Sequence, residues 1–135
     1  MGAVSRGLVY VDSSAVVKLV LREPETDALR KLLGRRSDLV SSALARTEVI
    51  RAVRPHGPDA IRRAKALLRR IDLIRVDDEL LDAAAMLDPP PLRSLDAIHL
   101  ASAMALGEDL DVVLTYDRRM QTAADALALS VAAPR

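Results

Sequence analysis

Four carboxylates stand either at the ends of apolar runs or on helix faces shared with apolar residues: Asp12, Glu48, Asp96 and Asp117. Brought together they would form a bare anionic cluster. Two like charges about 4 Å apart repel by about 4 kcal/mol at an effective dielectric of about 20, so such a cluster needs a shared proton or a cation. A divalent ion offsets several charges at once, and an all-oxygen donor set favours a hard ion, Mg2+ or Mn2+. Ions of that kind make water a nucleophile for phosphodiesters. Each acid also has a plainer role. Asp12 and Asp117 suit helix N-caps, worth about 1 kcal/mol each. Glu48 could pair on the surface with Arg51, three residues on, and Asp96 could simply compensate a helix dipole.

The elements that would position these acids alternate along the chain. Leu8–Val11 is a short apolar run ending in Asp12, and Ser13–Leu21 then carries a helical apolar patch. Helices are predicted over 26–35, 42–54, 59–70, 79–87, 94–106 and 118–127. Strands are predicted over 38–41, 71–76, 112–115 and 129–131. The cluster Pro55-His56-Gly57-Pro58 stops one helix, and Pro89-Pro90-Pro91 predicts an extended linker because proline cannot sit in a helix interior. Strands separated by helices imply an α/β domain, a central parallel sheet flanked by helices on both faces. Ligands bind at the carboxyl ends of the strands in such sheets, which is where Asp12 and Asp117 fall.

Composition narrows the class. A chain of 135 residues, half of them hydrophobic and 29% charged, is a single globular domain over 1–135 that buries roughly two-thirds of its unfolded surface. Cysteine is absent, which excludes disulfides, thiolate nucleophiles and sulfur-ligated zinc. The core must be aliphatic, since Tyr10 and Tyr116 are the only aromatic residues. The apolar stretch from Leu8 to Leu21 is interrupted by Asp12, Ser13, Ser14 and Lys18. It lacks the unbroken hydrophobic region of a secretory signal, and a cytoplasmic protein without membrane association is expected. Removing the four site acids from a net charge of +1 leaves +5, and 17 of the 20 basic residues are Arg. An acidic centre in a basic surround suits a nucleic acid held by its phosphates. Arg62, Arg63, Arg69, Arg70, Arg118 and Arg119 are the candidates for that contact, although a solvated helix face explains an Arg-rich helix equally well.

The runs Tyr10-Val11-Asp12-Ser13-Ser14-Ala15, Arg46-Thr47-Glu48-Val49, Leu95-Asp96-Ala97-Ile98-His99-Leu100-Ala101 and Leu114-Thr115-Tyr116-Asp117 resemble, in order and spacing, the four acidic motifs of PIN-domain nucleases. The chain is most similar to VapC-type toxins of bacterial toxin–antitoxin pairs, nearly end to end. The resemblance implies a PIN-like fold and Mg2+- or Mn2+-dependent endonucleolytic cleavage of single-stranded RNA. It implies Asp12, Asp96 and Asp117 as metal ligands, with Glu48 completing the site or orienting the nucleophilic water. It implies Ser13 and Thr115 as hydroxyls supporting the first and last acids. It also implies a homodimer and a VapB-type antitoxin whose C-terminal segment covers the acidic pocket. Val17, Val20, Leu21, Leu29, Leu32 and Leu33 could line that groove, though core packing suits most of them better. Met120 stands where the family often has an aromatic residue.

His99, one turn after Asp96, is expected to pack or hydrogen-bond within the helix layer, and His56 to lie on the surface. Met86, Met104 and Met120 fall on apolar helix faces and are expected in the core. Two other classes compete with the nuclease. A phosphoacceptor receiver domain needs a lysine near its last strands, and this chain has only Lys18, Lys31 and Lys65. A non-catalytic PIN-like binding module would be expected to have lost an acid, and all four are present.

Overall fold

The computed structural model describes residues 7–34, 36 and 38–135. Among these described residues five strands, β1 (Leu8–Val11), β2 (Leu39–Ser42), β3 (Asp72–Ile74), β4 (Leu110–Leu114) and β5 (Val131–Ala132), form one sheet in the order β3-β2-β1-β4-β5. Every pairing is parallel. Seven α-helices connect them: α1 (Ser13–Val20), α2 (Thr26–Leu33), α3 (Ala45–Val53), α4 (Pro58–Leu68), α5 (Asp78–Ala85), α6 (Ser94–Met104) and α7 (Arg118–Ala126). The α/β architecture with helices on both faces is the one predicted from the alternation of elements.

Side-chain alternation on β1 shows how the sheet acquires its two faces, since successive strand residues point to opposite sides. Val9 and Val11 join the larger core, where Ala15, Val16 and Val20 of α1, Leu29 and Leu33 of α2, Val49 and Val53 of α3 and Ala60 and Ala64 of α4 pack together. Tyr10 faces the other way and packs with Val40, Val113 and Ala103 of α6. Beyond it, α5 and α6 meet through Leu80, Ala84, Ala97 and Ala101. α6 and α7 meet through Leu100, Met120, Ala123 and Ala124. The alanines let these helices approach closely.

β2 and β3 lie on one side of β1, while β4 and β5 lie on the other, so the strand order reverses between β1 and β4. A crevice opens at the carboxyl ends of the strands at such a point. Val11 pairs with Leu114 there, and Asp12 N–H donates to the Leu114 carbonyl at 3.1 Å. The loops after β1 and β4 are therefore held side by side.

Several boundaries differ from the sequence reading. The second strand covers Leu39–Ser42 and α3 begins at Ala45, because parallel pairing with Ile74 of β3 draws Ser42 into the sheet. The end of the predicted second helix, Arg35, lies outside the described residues. Pro89-Pro90-Pro91 form a turn rather than an extended linker: Leu92 N–H donates to the Pro89 carbonyl at 2.9 Å, and the Asp88–Pro89 bond is cis. Met120 is buried, as predicted, but Met86 is 82% exposed and Met104 39% exposed. Met86 follows the last turn of α5, where no neighbouring element covers it. Of the six apolar residues considered for a groove, Val20, Leu29 and Leu33 are core and Leu32 is exposed. No described helix is long and apolar enough to cross a membrane.

Candidate active site

Asp12 follows β1 in extended conformation and caps α1, its Oδ1 accepting from Ala15 N–H at 3.0 Å and from the Ser14 hydroxyl at 2.6 Å. Its other oxygen accepts a short bond from the Thr115 hydroxyl. Asp12 is only 3% exposed, and burial pushes its carboxyl above the usual range against the pull of Ser14, Thr115 and Ala15. Asp117 follows β4 in the same manner, its Oδ1 capping α7 through the N–H groups of Arg119 and Met120. Thr115 joins the two loops, because the oxygen that donates to Asp12 also accepts from Asp117 N–H at 3.1 Å. Asp12 and Asp117 are thus helix caps and cavity residues at once.

Asp96 lies in the first turn of α6 and is 7% exposed. Arg93, which immediately precedes that helix, bridges two of the acids: its Nε donates to Asp96 Oδ2 at 3.0 Å and its Nη2 to Asp117 Oδ2 at 3.2 Å. The guanidinium supplies positive charge between two carboxylates that would otherwise repel. Glu48 on α3 pairs with His99 and Ser13 rather than with Arg51. Its Oε1 accepts from His99 Nε2 at 2.6 Å and from the Ser13 hydroxyl at 2.8 Å. Partial burial raises its carboxyl, but the His99 and Ser13 donors outweigh burial and hold it below the usual carboxylate range. His99 reaches across the layers, its Nδ1 lying 2.7 Å from the Tyr10 hydroxyl on β1. It is buried, as expected, but its hydrogen bonds leave the helix layer for the sheet and for α3.

All four acids line one cavity of about 400 Å³, together with Ser13, Ser14, Arg93, Ser94, Leu95, His99 and Met120. Sequence reading placed the acids but missed Arg93, Ser14, His99 and Tyr10 as parts of the same network. Arg93 and His99 stand three residues before and three after Asp96, the spacing that shares a helix face, so the signal was present for both. Tyr10 carried none, because its partner comes from a distant helix. The arginines of the α4 segment, Arg62, Arg63, Arg69 and Arg70, are exposed and do not line the cavity.

An all-oxygen donor set of carboxylates and serine hydroxyls fits a hard divalent ion chemically. In the present arrangement no three acidic or histidine side chains among the described residues converge closely enough to hold one. The guanidinium of Arg93 lies between two of them. An ion would have to draw Asp96 and Asp117 from Arg93, exchanging one positive charge for two.

The fold and this crevice define a class: an α/β domain with an acid-lined cavity at the point where the order of its parallel strands reverses. The PIN domain family model matches residues 9–127. The chain is similar to Ribonuclease VapC46 of Mycobacterium tuberculosis, with 53% identity over 93% of this chain and 97% of the relative. Among the solved structures that share its fold, two are similar over most of this chain. One is the M. tuberculosis VapC20 toxin, described as cleaving the sarcin–ricin loop, with a TM-score of 0.71 at 18% identity over 85% of this chain and 94% of that one. The other is VapBC2 from Rickettsia felis, bound to a DNA fragment from the promoter, with a TM-score of 0.71 at 12% identity over 95% of this chain and 100% of that one. This chain belongs to the PIN-domain family, and within it to the VapC ribonucleases. That membership removes the receiver-domain alternative.

Proposed function

We propose that this chain is an endoribonuclease that cleaves single-stranded RNA with the aid of Mg2+ or Mn2+, as the toxin of a pair with a VapB-type antitoxin. The observation that carries the reading is the convergence of Asp12, Glu48, Asp96 and Asp117 on one cavity at the strand-order reversal, in a chain with VapC relatives. Asp12, Asp96 and Asp117 would hold the ion. Thr115 supports Asp12, while Ser13 supports Glu48 rather than the first acid, whose serine partner is Ser14. The ion, when bound, supplies Lewis-acid polarisation of the phosphate and offsets its developing negative charge. Glu48 accepts the proton of the water that attacks phosphorus in line, while the bond to the leaving oxygen breaks. Arg93, once released from Asp96 and Asp117, is placed to grip a phosphate with its planar fork of donors. Phe and Trp are absent, so recognition leans on phosphate and backbone shape rather than on stacking platforms. A cytoplasmic homodimer, with the antitoxin covering the acidic cavity, completes the reading.

Purified protein incubated with labelled single-stranded RNA and Mg2+ or Mn2+ should cleave it, and EDTA should stop the reaction. The Asp96→Asn variant should keep the wild-type circular dichroism and lose cleavage. A folded, active Asp96→Asn protein, or cleavage indifferent to EDTA, would overturn the assignment.

A further inference from the structure

A file of hydrogen-bonded side chains runs from the middle of the sheet to the acidic cavity. It begins at Tyr10 on β1, passes through His99 on α6 and ends at Glu48 on α3, which Ser13 also contacts. Tyr10 is wholly buried and His99 is 2% exposed. A histidine that merely filled space here would leave its two ring nitrogens without directed partners at considerable desolvation cost. Both are instead engaged, at 2.7 and 2.6 Å.

We propose that Tyr10 and His99 are a positioning relay for Glu48: the phenol fixes the imidazole as its Nε2–H tautomer, and that N–H holds one oxygen of Glu48 so that the other is presented to the cavity as proton acceptor. The purpose assigned to the relay rests on the nuclease reading above, but its geometry does not. A carboxylate oxygen can only accept, so the 2.6 Å contact with Glu48 Oε1 requires a proton on His99 Nε2. With that proton on Nε2, the neutral ring leaves Nδ1 as an acceptor for the Tyr10 hydroxyl 2.7 Å away. A ring nitrogen that accepts a hydrogen bond is unprotonated, so the phenol keeps the ring in that tautomer. The rings meet edge to face, with planes 79° apart and centroids 6.0 Å apart, so the imidazole cannot turn over without losing both bonds. Ser13 donates to the same Oε1 at 2.8 Å. Oε2 accepts from none of the described residues, and it is the oxygen left for the proton of the attacking water. Tyr10 and His99 touch neither RNA nor water in this scheme; they act through Glu48.

Two amide variants separate a directed relay from simple packing. Glutamine can place its terminal amide near the Nε2 position and keep a donor for Glu48, whereas asparagine reaches only the Nδ1 position. His99→Asn should lower kcat by about 10–100-fold, the usual effect of losing an outer partner of a site residue, with KM for RNA changed less than about 3-fold. His99→Gln should restore most of that loss, and Tyr10→Phe should cost about 3–10-fold in kcat. Asparagine and glutamine variants of equal activity, or a loss carried mainly by KM, would overturn the relay. A second measurement needs no turnover and no ion: long-range proton–nitrogen correlation spectra of nitrogen-labelled protein report the His99 tautomer directly. Wild type should show the Nε2–H form and Tyr10→Phe a mixture. An Nδ1–H form or an imidazolium in the wild type would overturn the relay even if RNA is cleaved. The predicted tautomer without EDTA-sensitive cleavage would leave the hydrogen-bond geometry standing and refute the nuclease reading instead.

Discussion

Replacing Thr115 with valine tests how the site holds a charge that burial disfavours. The side chain is wholly buried, and valine nearly matches it in shape while lacking the hydroxyl that donates to Asp12 Oδ2 and accepts from Asp117 N–H. Losing a hydrogen bond to an ionised group costs about 1.5–3 kcal/mol. The Asp117 N–H also loses its 3.1 Å partner, at a smaller cost because that hydrogen bond joins two neutral groups. The expected loss is therefore about 2–3 kcal/mol at pH 8, and for a domain of this size each kcal/mol lowers Tm by about 3–5 °C. The pH dependence follows from the direction of the Asp12 shift. Burial already holds the Asp12 carboxyl above the ordinary carboxylate range, and the Thr115 bond is one of the interactions pulling it down. Valine raises it further, so the folded variant binds the proton more readily than the folded wild type. A raised carboxyl contributes stability below its unfolded value and loses it as pH rises through the folded value. The variant's deficit should accordingly be largest at pH 8 and shrink towards about 1 kcal/mol, the worth of a neutral hydrogen bond, as pH falls towards the usual carboxylate range. Thermal melts of wild type, Thr115→Val and Thr115→Ser across that range measure this, with serine restoring most of the loss. Equal melting at pH 8, or a deficit that does not change with pH, would refute the assignment of the Thr115 hydroxyl as a donor that lowers the Asp12 carboxyl against burial.

Two further substitutions probe the cavity and the sheet. Arg93→Gln removes the cation bridging Asp96 and Asp117; titration calorimetry with Mn2+ should show tighter ion binding while KM for RNA rises, and unchanged ion affinity would mean that Arg93 does not compete for those carboxylates. Gly7→Ala would place a methyl group 2.6 Å from the Asp109 backbone carbonyl and 3.0 Å from Asp111, where the first strand enters beside β4. Relieving such a clash shifts backbone and costs about 1–3 kcal/mol, so Tm should fall measurably with cleavage per folded molecule retained; a wild-type melt would mean that the strand end yields freely.

What the sequence made legible depended on whether the information was local. Asp12 and Asp117 could be placed because an apolar strand, an acid and an amphipathic helix occur in immediate succession, and the strand pattern fixes which end of the sheet they reach. The partner of Glu48 could not be placed: His99 is 51 residues away and Tyr10 another 89 from His99, and periodicity gives the face a side chain occupies without naming what lies opposite. Met86 and Met104 failed for the same reason, since an apolar position on a helix becomes core only where another element covers it. The arginines were misdirected by density. Runs on α4 drew attention to an exposed face, while Arg93, the one arginine among the described residues that lines the cavity, stands alone in a Pro-rich segment.

Capping a helix and lining the cavity are not rival roles for Asp12. One carboxylate has two oxygens, and here Oδ1 accepts from the first turn of α1 while Oδ2 meets Thr115 in the crevice. The two roles support each other physically. A helix N-terminus offers unpaired N–H groups and the positive end of its dipole, which partly offset the cost of burying a charge that the cavity must retain. Asp117 repeats the arrangement at the neighbouring strand, with its Oδ1 on α7 and its Oδ2 on Arg93. Converting both caps to serine, rather than to alanine, would therefore preserve helix initiation while removing the charges, and the loss of RNA cleavage in such a folded protein could not be ascribed to lost capping.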